Sequence, residues 1–590
     1  MAAPYVLLDD ARPGGEARLY REPVEVVAAA TPAEVAGVLD RVRAATARGL
    51  HAAGFLSYEA GAAFEPTIPA RPVDAPLAWF GLFEGWEPID AATWLPDRAG
   101  ARIGCPVPRT TREAYEAQVR EALGLIAAGD LYQVNLSFPT AVPIAGDPLA
   151  AYAQLRARAG AGYGAVVATG AHTLVSLSPD LFVRLEGDRL ECRPMKGTAR
   201  RAPDPAADRA AADALAADAK QRAENLMIVD LMRNDLARVA VAGSVSVPAL
   251  WQVETYPTVH QLTSSVTATL APGLGAVDVL AAAFPCGSVS GAPTVRAREA
   301  IDAIEAAPRG PYTGAIGRID PEGDAAFNVA IRTLVLSEGG GEATLSLGAG
   351  IVADSDPAAE WAECLAKGAF VGDGRPLFDL VETMAFDPEE GISLLERHLA
   401  RMKASADALG FAFDRHAARN ELQAATFRLR AARRVRLLLA PSGQVAVEVS
   451  PMPPAPTGPL RVAFAALPVS PTDVRLRHKT SARAFYDEAR RASGADEVVF
   501  VHDGLVTEGS FTSVFVRRDD GVLVTPRAGP LLPGVLAGDL VAAGRAVEGD
   551  LTPADLARGF LVGNAVRGLM PAVAGGGLLP AVANEPAPPL

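Results

Sequence analysis

The sequence is poor in several things, and each shortage removes a class of protein. Its 590 residues include four cysteines, Cys105, Cys192, Cys286 and Cys364, scattered singly and never in a CxxC spacing. That excludes a disulfide framework and a thiolate zinc site and leaves reduced core thiols. No run approaches the roughly 18 uninterrupted apolar residues of a membrane span, although 49% of the residues are hydrophobic, because alanine carries much of that share. The opening MAAPYVLLDDARPGGEARLY lacks a basic start, an apolar run and a small-residue cleavage site, so secretion is not indicated and a soluble, cytoplasmic protein is expected. Positive charge is in deficit: a formal net charge of −14 disfavours a nucleic-acid surface. The one arginine cluster, FRLRAARRVRLLL, alternates like a strand with one solvated face. Lysine is scarce, five of the 55 basic side chains, and one of the five stands between Met195 and Gly197 in RPMKGTAR.

What is present supports several full cores, since this length allows about three or four domains. In TREAYEAQVREALGLIAAGD, Tyr115, Val119, Leu123 and Ile126 recur at helical spacing and Gly129 offers a stop, so a helix leads into the strand-like LYQVNLSFP. A second helix is predicted over about 208–234 and a third after Gly291-Ala-Pro293. TLVSLSPDLFVRL and AFNVAIRTLVL read as strands. Helices and strands that do not strictly alternate predict an α+β fold. A break falls at FVGDGRPL, 370–377, after which LLERHLARMKASADALGF makes an amphipathic helix on Leu395, Leu399, Met402 and Leu409. The proline-rich SPMPPAPTGPL reads as a connector between two lobes, about 374–455 and 458–573, and the tail AGGGLLPAVANEPAPPL as frayed. The expected domains are thus 1–370, in parts 1–105 and 106–370, and 374–590.

Glu224 lies on the second predicted helix, and Glu360 and Glu363 are one helical turn apart and share a face. Carboxylates from two helices, without histidine or cysteine companions, suit Mg²⁺ rather than zinc. The same spacing alone also describes a solvated helix face.

The residue strings go further. GDLYQVNLS, SLSPDLF, RPMKGTAR, AENLMIVDLMRNDLARV, TVHQLTSSV, CGSVSGAPTVRAREAI, YTGAIG, NVAIRT and LGAGIVADSDPAAEWAE stand in the order and spacing of the chorismate-utilising enzymes. The chain resembles that family over most of residues 1–370, and the resemblance implies a two-sheet chorismate-binding fold. It also implies that Glu224 and Glu363, with Glu360 beside them, hold Mg²⁺ on the ring carboxylate. Tyr312 and Arg332 would grip the enolpyruvyl carboxylate, a fork-shaped guanidinium being suited to it. Backbone of Gly287, Ser288, Gly348, Ala349 and Gly350 would complete the cradle, and His260 matches an active-site histidine. Members that aminate ortho to the carboxylate typically carry alanine where this chain has Lys196. Those that aminate para carry lysine, whose amine attacks ring C2 before ammonia enters C4. That amine must be uncharged.

Several positions depart from the family. Its Ser-Pro-Glu general acid is Ser178-Pro179-Asp180 here, one methylene shorter. Gln221 replaces an acid three residues before Glu224, and Thr294 replaces a lysine. Gln133 stands where water-using relatives carry a lysine base, which favours ammonia as nucleophile. VLLDDA resembles a tryptophan-binding segment but has Asp10 in place of serine, so feedback by tryptophan is not expected.

From about 374 onward LVETM, LLERHLARMKASADALG, RHKTSARAFYDEAR, DEVVFVHDGLVTEGSFTSVFV, LLPGVLAGDLV and GNAVRGLMPA follow the order of the fold-type IV pyridoxal-phosphate enzymes. The resemblance implies a two-lobed α+β domain with Lys479 as Schiff-base lysine and Glu508 on the pyridine nitrogen. Arg401 would hold the phosphate, with Val535, Leu536, Asn564 and Ala565. Ser513 departs from the usual asparagine.

Together these resemblances imply two steps: amination of chorismate at C4, then pyridoxal-phosphate-dependent loss of pyruvate to 4-aminobenzoate, a folate precursor. No glutaminase cysteine in a GxCxG elbow is present, so ammonia is expected from a separate amidotransferase subunit, and self-association as a homodimer is expected from the fold-type IV relatives. Two alternatives stay open: an ortho-aminating enzyme fused to a class IV aminotransferase, and a degenerate chorismate-binding scaffold attached to an active pyridoxal-phosphate domain.

Overall fold

In the computed structural model, residues 3–65, 71–255, 259–337, 339–372, 374–527 and 529–579 are described. The chain divides into two compact units. The first comprises Met1–Leu95, Cys105–Pro143 and Tyr152–Asp373, the second Pro96–Gly104, Ile144–Ala151 and Gly374–Leu590. Two short segments from the first 370 residues therefore belong to the second unit, which corrects the expectation of an uninterrupted domain over 1–370. Their packing gives the reason: Arg475 Nη1 donates to Asp97 Oδ2 at 2.5 Å, and Gly100 sits so close to Asp473 that a Cβ would lie 2.8 Å from Asp473 Oδ2.

The first unit is built on two large antiparallel sheets. Val6, Tyr20, Val167 and Leu174 from one and Phe55, Trp79, Phe83 and Ile316 from the other form one buried cluster, so the sheets face each other. The second sheet's far face is covered by the helices Pro32–Thr46 and Ala219–Ala237, whose Val35, Val38, Ile228, Val229 and Met232 pack with Phe80, Phe182 and Phe327. Residues 1–105 do not fold apart from 106–370. Tyr5–Asp9 pairs with Tyr163–Ala168, and His51–Leu56 with Ala315–Ile319.

The strand-like runs TLVSLSPDLFVRL and AFNVAIRTLVL are each two strands in different sheets. His172–Ser178 and Thr333–Ser337 pair in one sheet, Leu181–Glu186 and Ala325–Val329 in the other. Pro179 cannot donate to a ladder, and Arg332 takes the left-handed φ of 50°, so both runs break at neighbouring points. The crossing is tied together by Leu177 N donating to Arg332 O at 3.1 Å, Val329 N to Asp180 O at 3.0 Å, and Ser178 Oγ to Val329 O at 2.6 Å. Asp180 and Arg332 sit at this double crossing.

The predicted first helix spans Arg112–Ala127, and the third is Thr294–Ile304. The helix expected over 208–234 is instead two, Pro205–Ala217 and Ala219–Ala237. Asp218 ends the first and caps the second, its carboxylate accepting from Gln221 N at 2.9 Å.

The second unit has the two lobes. A four-stranded sheet, Gly391–Ile392, Leu380–Asp387, Arg433–Leu439 and Val445–Pro451, packs on the helix Leu395–Leu409, which Gly410 ends at φ 72°. An eight-stranded mixed sheet carries the helices Ala484–Ser493 and Val535–Ala542. Its strand Gly568–Leu579 runs into the stretch read as a frayed tail; the rest of that tail lies outside the described residues. No helix among the described residues is long and apolar enough to cross a membrane.

Candidate functional site

Each unit contains a large cleft that gathers candidate site residues. The first, of about 570 Å³, is lined by Lys196, Asp180, Glu224, Glu360, Glu363, Tyr312, Arg332, Ser288, Gly348, Ala349 and Gly350. Lys196 reaches it because the strand Met195–Arg200 is bulged. Met195 pairs with Thr263 and Thr198 with Gln261, which leaves Lys196 and Gly197 out of register. Gly197 takes the φ of 102° that the bulge requires. This is why a glycine follows the lysine in PMKGT.

The lysine Nζ lies 3.7 Å from Glu224 Oε2. Burial lowers its proton affinity, and Glu224 opposes that shift. Gly350 is as necessary as Gly197. A Cβ there would lie 2.7 Å from Lys196 Nζ and 2.7 Å from Asn135 Oδ1, so any side chain would displace the amine. Gly348 likewise leaves room for the Tyr312 hydroxyl, 2.9 Å from where its Cβ would be. Asp180 is buried with no charge beside it, and burial alone raises its carboxyl to about 8. At neutral pH it therefore holds a proton, as a general acid must.

Glu224 comes from the helix Ala219–Ala237, Glu360 and Glu363 from Pro357–Gly368. Burial raises Glu360; in Glu363 it is outweighed by Lys367, 2.8 Å away, and that carboxyl is held low. Lys220, paired with Asp354 at 2.9 Å, also lines the cleft. Among the described residues no three acidic, cysteine or histidine side chains are gathered closely enough to form a ready-made metal site. The three glutamates line one cleft with lysines interleaved.

Two expected residues are elsewhere. His260 does not line the cleft. Its strand neighbours Val259 and Gln261 do, and alternation turns His260 to the opposite face, where Nε2 lies 3.0 Å from Asp208 Oδ1 and Nδ1 3.0 Å from Thr255 Oγ1. Gly287 lies behind the wall, where a Cβ would come within 2.3 Å of Leu231 Cδ2, so its lack of a side chain serves helix packing. Asp10, at the tryptophan-segment position, is closed by Arg12, Nε to Oδ1 at 2.8 Å and Nη2 to Oδ2 at 2.6 Å. Residues not anticipated are Asn135, whose amide donates to Ser288 O at 2.8 Å, and Arg309, which donates to Asn135 O at 2.8 Å and is buried against Glu305 at 2.7 Å.

The second cleft, about 450 Å³, brings together Lys479, Glu508, Arg401, Val535, Leu536, Asn564 and Ala565, with Ser513. Lys479 is fixed through its backbone, its carbonyl accepting from Val381 N at 2.9 Å. Burial and then the Arg401 charge lower its amine to about 7. Glu508 is raised by burial to about 8, even though Tyr486 Oη donates to it at 2.6 Å and Leu532 N at 3.1 Å. Arg401 is locked onto buried Glu382 by Nε at 2.8 Å and Nη2 at 2.7 Å, while Nη1 donates to Pro533 O at 2.9 Å. That bond sets the guanidinium beside the N-terminus of the helix Val535–Ala542, a ready place for a phosphate. His398 also lines the cleft. Its Nδ1 lies 2.6 Å from Glu382 Oε2, and its Nε2 is buried without a partner among the described residues. A cationic corner with an orphaned ring nitrogen suits an anionic cofactor. The arginine face of Arg433–Leu439, read as solvated, instead lends Arg434 and Arg436 to this cleft while Val435, Leu437 and Leu439 fill the core.

Comparison with known proteins accords with this geometry. Residues 3–372 match the family described as chorismate binding enzyme, and residues 379–574 match amino-transferase class IV. The chain is 39% identical over 340 residues to aminodeoxychorismate synthase component 1 of Salmonella typhimurium strain LT2, covering 54% of this chain and 74% of that one. It is 45% identical over 257 residues to the protein of that name from Escherichia coli K12, covering 44% and 56%. The chain thus spans between about half and three quarters of these relatives' lengths. Among solved structures it is similar to anthranilate synthase component I from Streptococcus pneumoniae TIGR4, at 26% identity and a TM-score of 0.53, over 63% of this chain and 93% of that one. The chain belongs to the chorismate binding enzyme family and carries an amino-transferase class IV domain behind the family region.

Proposed function

We propose that the protein makes 4-aminobenzoate in two steps: ammonia-dependent amination of chorismate at C4 in the first cleft, then elimination of pyruvate from 4-amino-4-deoxychorismate in the second. The observation that carries this reading is Lys196, bulged into the cleft and desolvated, with a protonated Asp180 in the same wall.

In the first step the neutral Lys196 amine adds to ring C2, both ring double bonds shift by one position, and the C4–O bond breaks. Asp180 gives its proton to the departing hydroxyl, which leaves as water. Ammonia then adds at C4, both double bonds shift back, and the C2–N bond to Lys196 breaks. The new nitrogen ends para to the ring carboxylate. Arg332 and the Tyr312 hydroxyl hold the enolpyruvyl carboxylate, and Gln133 leaves no base to activate water. Glu224, Glu360 and Glu363 offer the all-oxygen donor set of a hard cation. Mg²⁺, when bound, orients the ring carboxylate and draws off charge. Ammonia is supplied by a separate glutamine amidotransferase.

In the second step pyridoxal phosphate, when bound, supplies the electron sink. Arg401, His398 and the N-terminus of Val535–Ala542 hold its phosphate. Glu508 holds the proton at the ring nitrogen. Lys479, released by the substrate amine, carries the proton from C4 to the departing pyruvate.

The test is purified protein with chorismate, Mg²⁺ and an ammonium salt, analysed for product. 4-Amino-4-deoxychorismate or 4-aminobenzoate is expected, and neither from Lys196→Ala. Anthranilate would instead mean ortho amination, and chorismate binding without turnover a scaffold.

A further inference from the structure

Charge pairing within the second cleft singles out two guanidiniums. Arg475 is spent on Asp473 and Asp97, and Arg401, held in place by Glu382, stands at the helix N-terminus assigned to the cofactor phosphate. Arg436 donates to Glu448 at 2.9 Å, Arg490 to Asp487 at 3.3 Å, and Arg483 lies 3.8 Å from Asp487. Among the described residues, Arg434 and Arg567 line the cleft with no carboxylate partner. Arg434 Nε donates to Ser450 Oγ at 3.0 Å and Arg567 Nη1 to Pro454 O at 3.1 Å, both neutral acceptors.

Each stands on a fixed base in a different lobe. Arg434 is in register between Ala385 and Ser450 in the four-stranded sheet. Arg567 is in the turn between Phe560–Asn564 and Gly568–Leu579, closed by Arg567 N donating to Asn564 Oδ1 at 2.9 Å. Both are half-buried, so each has lost part of its hydration without gaining a counter-charge. Such a group retains donors for an incoming anion and is stabilised by one. The cofactor phosphate is already provided for at Arg401 and the helix N-terminus, so these two positive charges call for further anionic groups on another ligand.

We infer that Arg434 and Arg567 form a two-point carboxylate site, one guanidinium per lobe, that makes the second cleft selective for a ring amine carrying two carboxylates over amines carrying one. This rests in part on the lyase reading.

The test uses the full-length protein loaded with pyridoxal phosphate and two unreactive probes, isophthalate with two carboxylates and benzoate with one. Binding is read from the perturbed absorption of the cofactor at Lys479. Isophthalate is expected to bind at least about tenfold tighter than benzoate to the unaltered protein, the scale of one charge-assisted contact. Arg434→Gln and Arg567→Gln should each abolish that preference while cofactor content stays unchanged. Arg415→Gln, on an exposed helix paired with Glu396, should keep it. Equal binding of the two probes to the unaltered protein, or a preference surviving in both cleft variants, overturns the proposal. Supplying 4-amino-4-deoxychorismate then tests the lyase reading separately: no pyruvate overturns that reading, while the probe result still stands.

Discussion

In the first cleft the lysine amine stands among carboxylates; in the second it stands among guanidiniums. Both lysines are desolvated, yet neighbouring charge acts on them in opposite senses. Glu224 pulls against burial at Lys196, whereas Arg401 adds to burial at Lys479 and brings that amine to about 7. The contrast matches the proposed contents of each cleft: a cation in one, anionic phosphate and carboxylates in the other. A nucleophilic lysine can thus be prepared in either field provided water is excluded, because desolvation is the larger contribution in both.

The most severe way to test the contrast is to remove each amine in turn. Lys196→Ala should cut chorismate amination at least about a thousandfold and leave pyruvate release from supplied 4-amino-4-deoxychorismate intact, and Lys479→Ala should do the reverse. Separate assays of the two half-reactions check this. Cross-effects of similar size would mean that the clefts are not independent. Next in size, Gly350→Ala should cost about a hundredfold in amination, since its methyl claims the space of Lys196 Nζ. Here chorismate binding measured by calorimetry should hardly change, which distinguishes a displaced amine from a blocked cleft.

The second cleft was far more legible in the sequence than the first, and the reason is geometric. Lys479 in a short loop, Glu508 and Asn564 near strand ends and Val535 at a helix start open on one cleft, so motif order already implied convergence. In the first cleft, positions depend on side-chain alternation and on a bulge. His260 was misjudged because a strand neighbour of cleft residues points away from the cleft, while Lys196 faces it only because Gly197 breaks the register. The helix break at Asp218 was equally hidden, since a capping carboxylate and a solvated one look alike in a run of alanines and acids. One signal could have found Lys220 and Lys367. The chain has five lysines, and all but Lys403 line one of the two clefts. Where arginine does the ordinary surface work, each lysine marks a place that calls for a compact ammonium or a titratable amine.

A subtler probe of the contrast is Glu382→Gln. Against its burial, Arg401 and His398 bring this carboxyl to about 2, so it is ionised at any working pH and orients the Arg401 cation and the His398 ring. The amide keeps the shape but loses the charge, and retention of pyridoxal phosphate should weaken about tenfold, measured by dialysis and absorbance. Amination should be unaffected, because no residue of the first cleft is involved.

The smallest effects should appear in the pH profiles, and there the two clefts should diverge in sign. In the proposed first step Asp180 must be protonated to release the hydroxyl and is held near 8, so amination should decline above about pH 8 as that proton is lost. In the proposed second step Lys479 must be neutral to accept a proton and is held near 7, so pyruvate release should rise through about pH 7 as its ammonium deprotonates. Asp180→Glu restores the longer acid of the family but leaves the apolar surroundings in place, so it should keep the alkaline decline while altering the maximal rate. A decline moved to pH 5 or below in this variant would mean that the carboxyl is solvated during turnover, and that burial does not set its proton affinity.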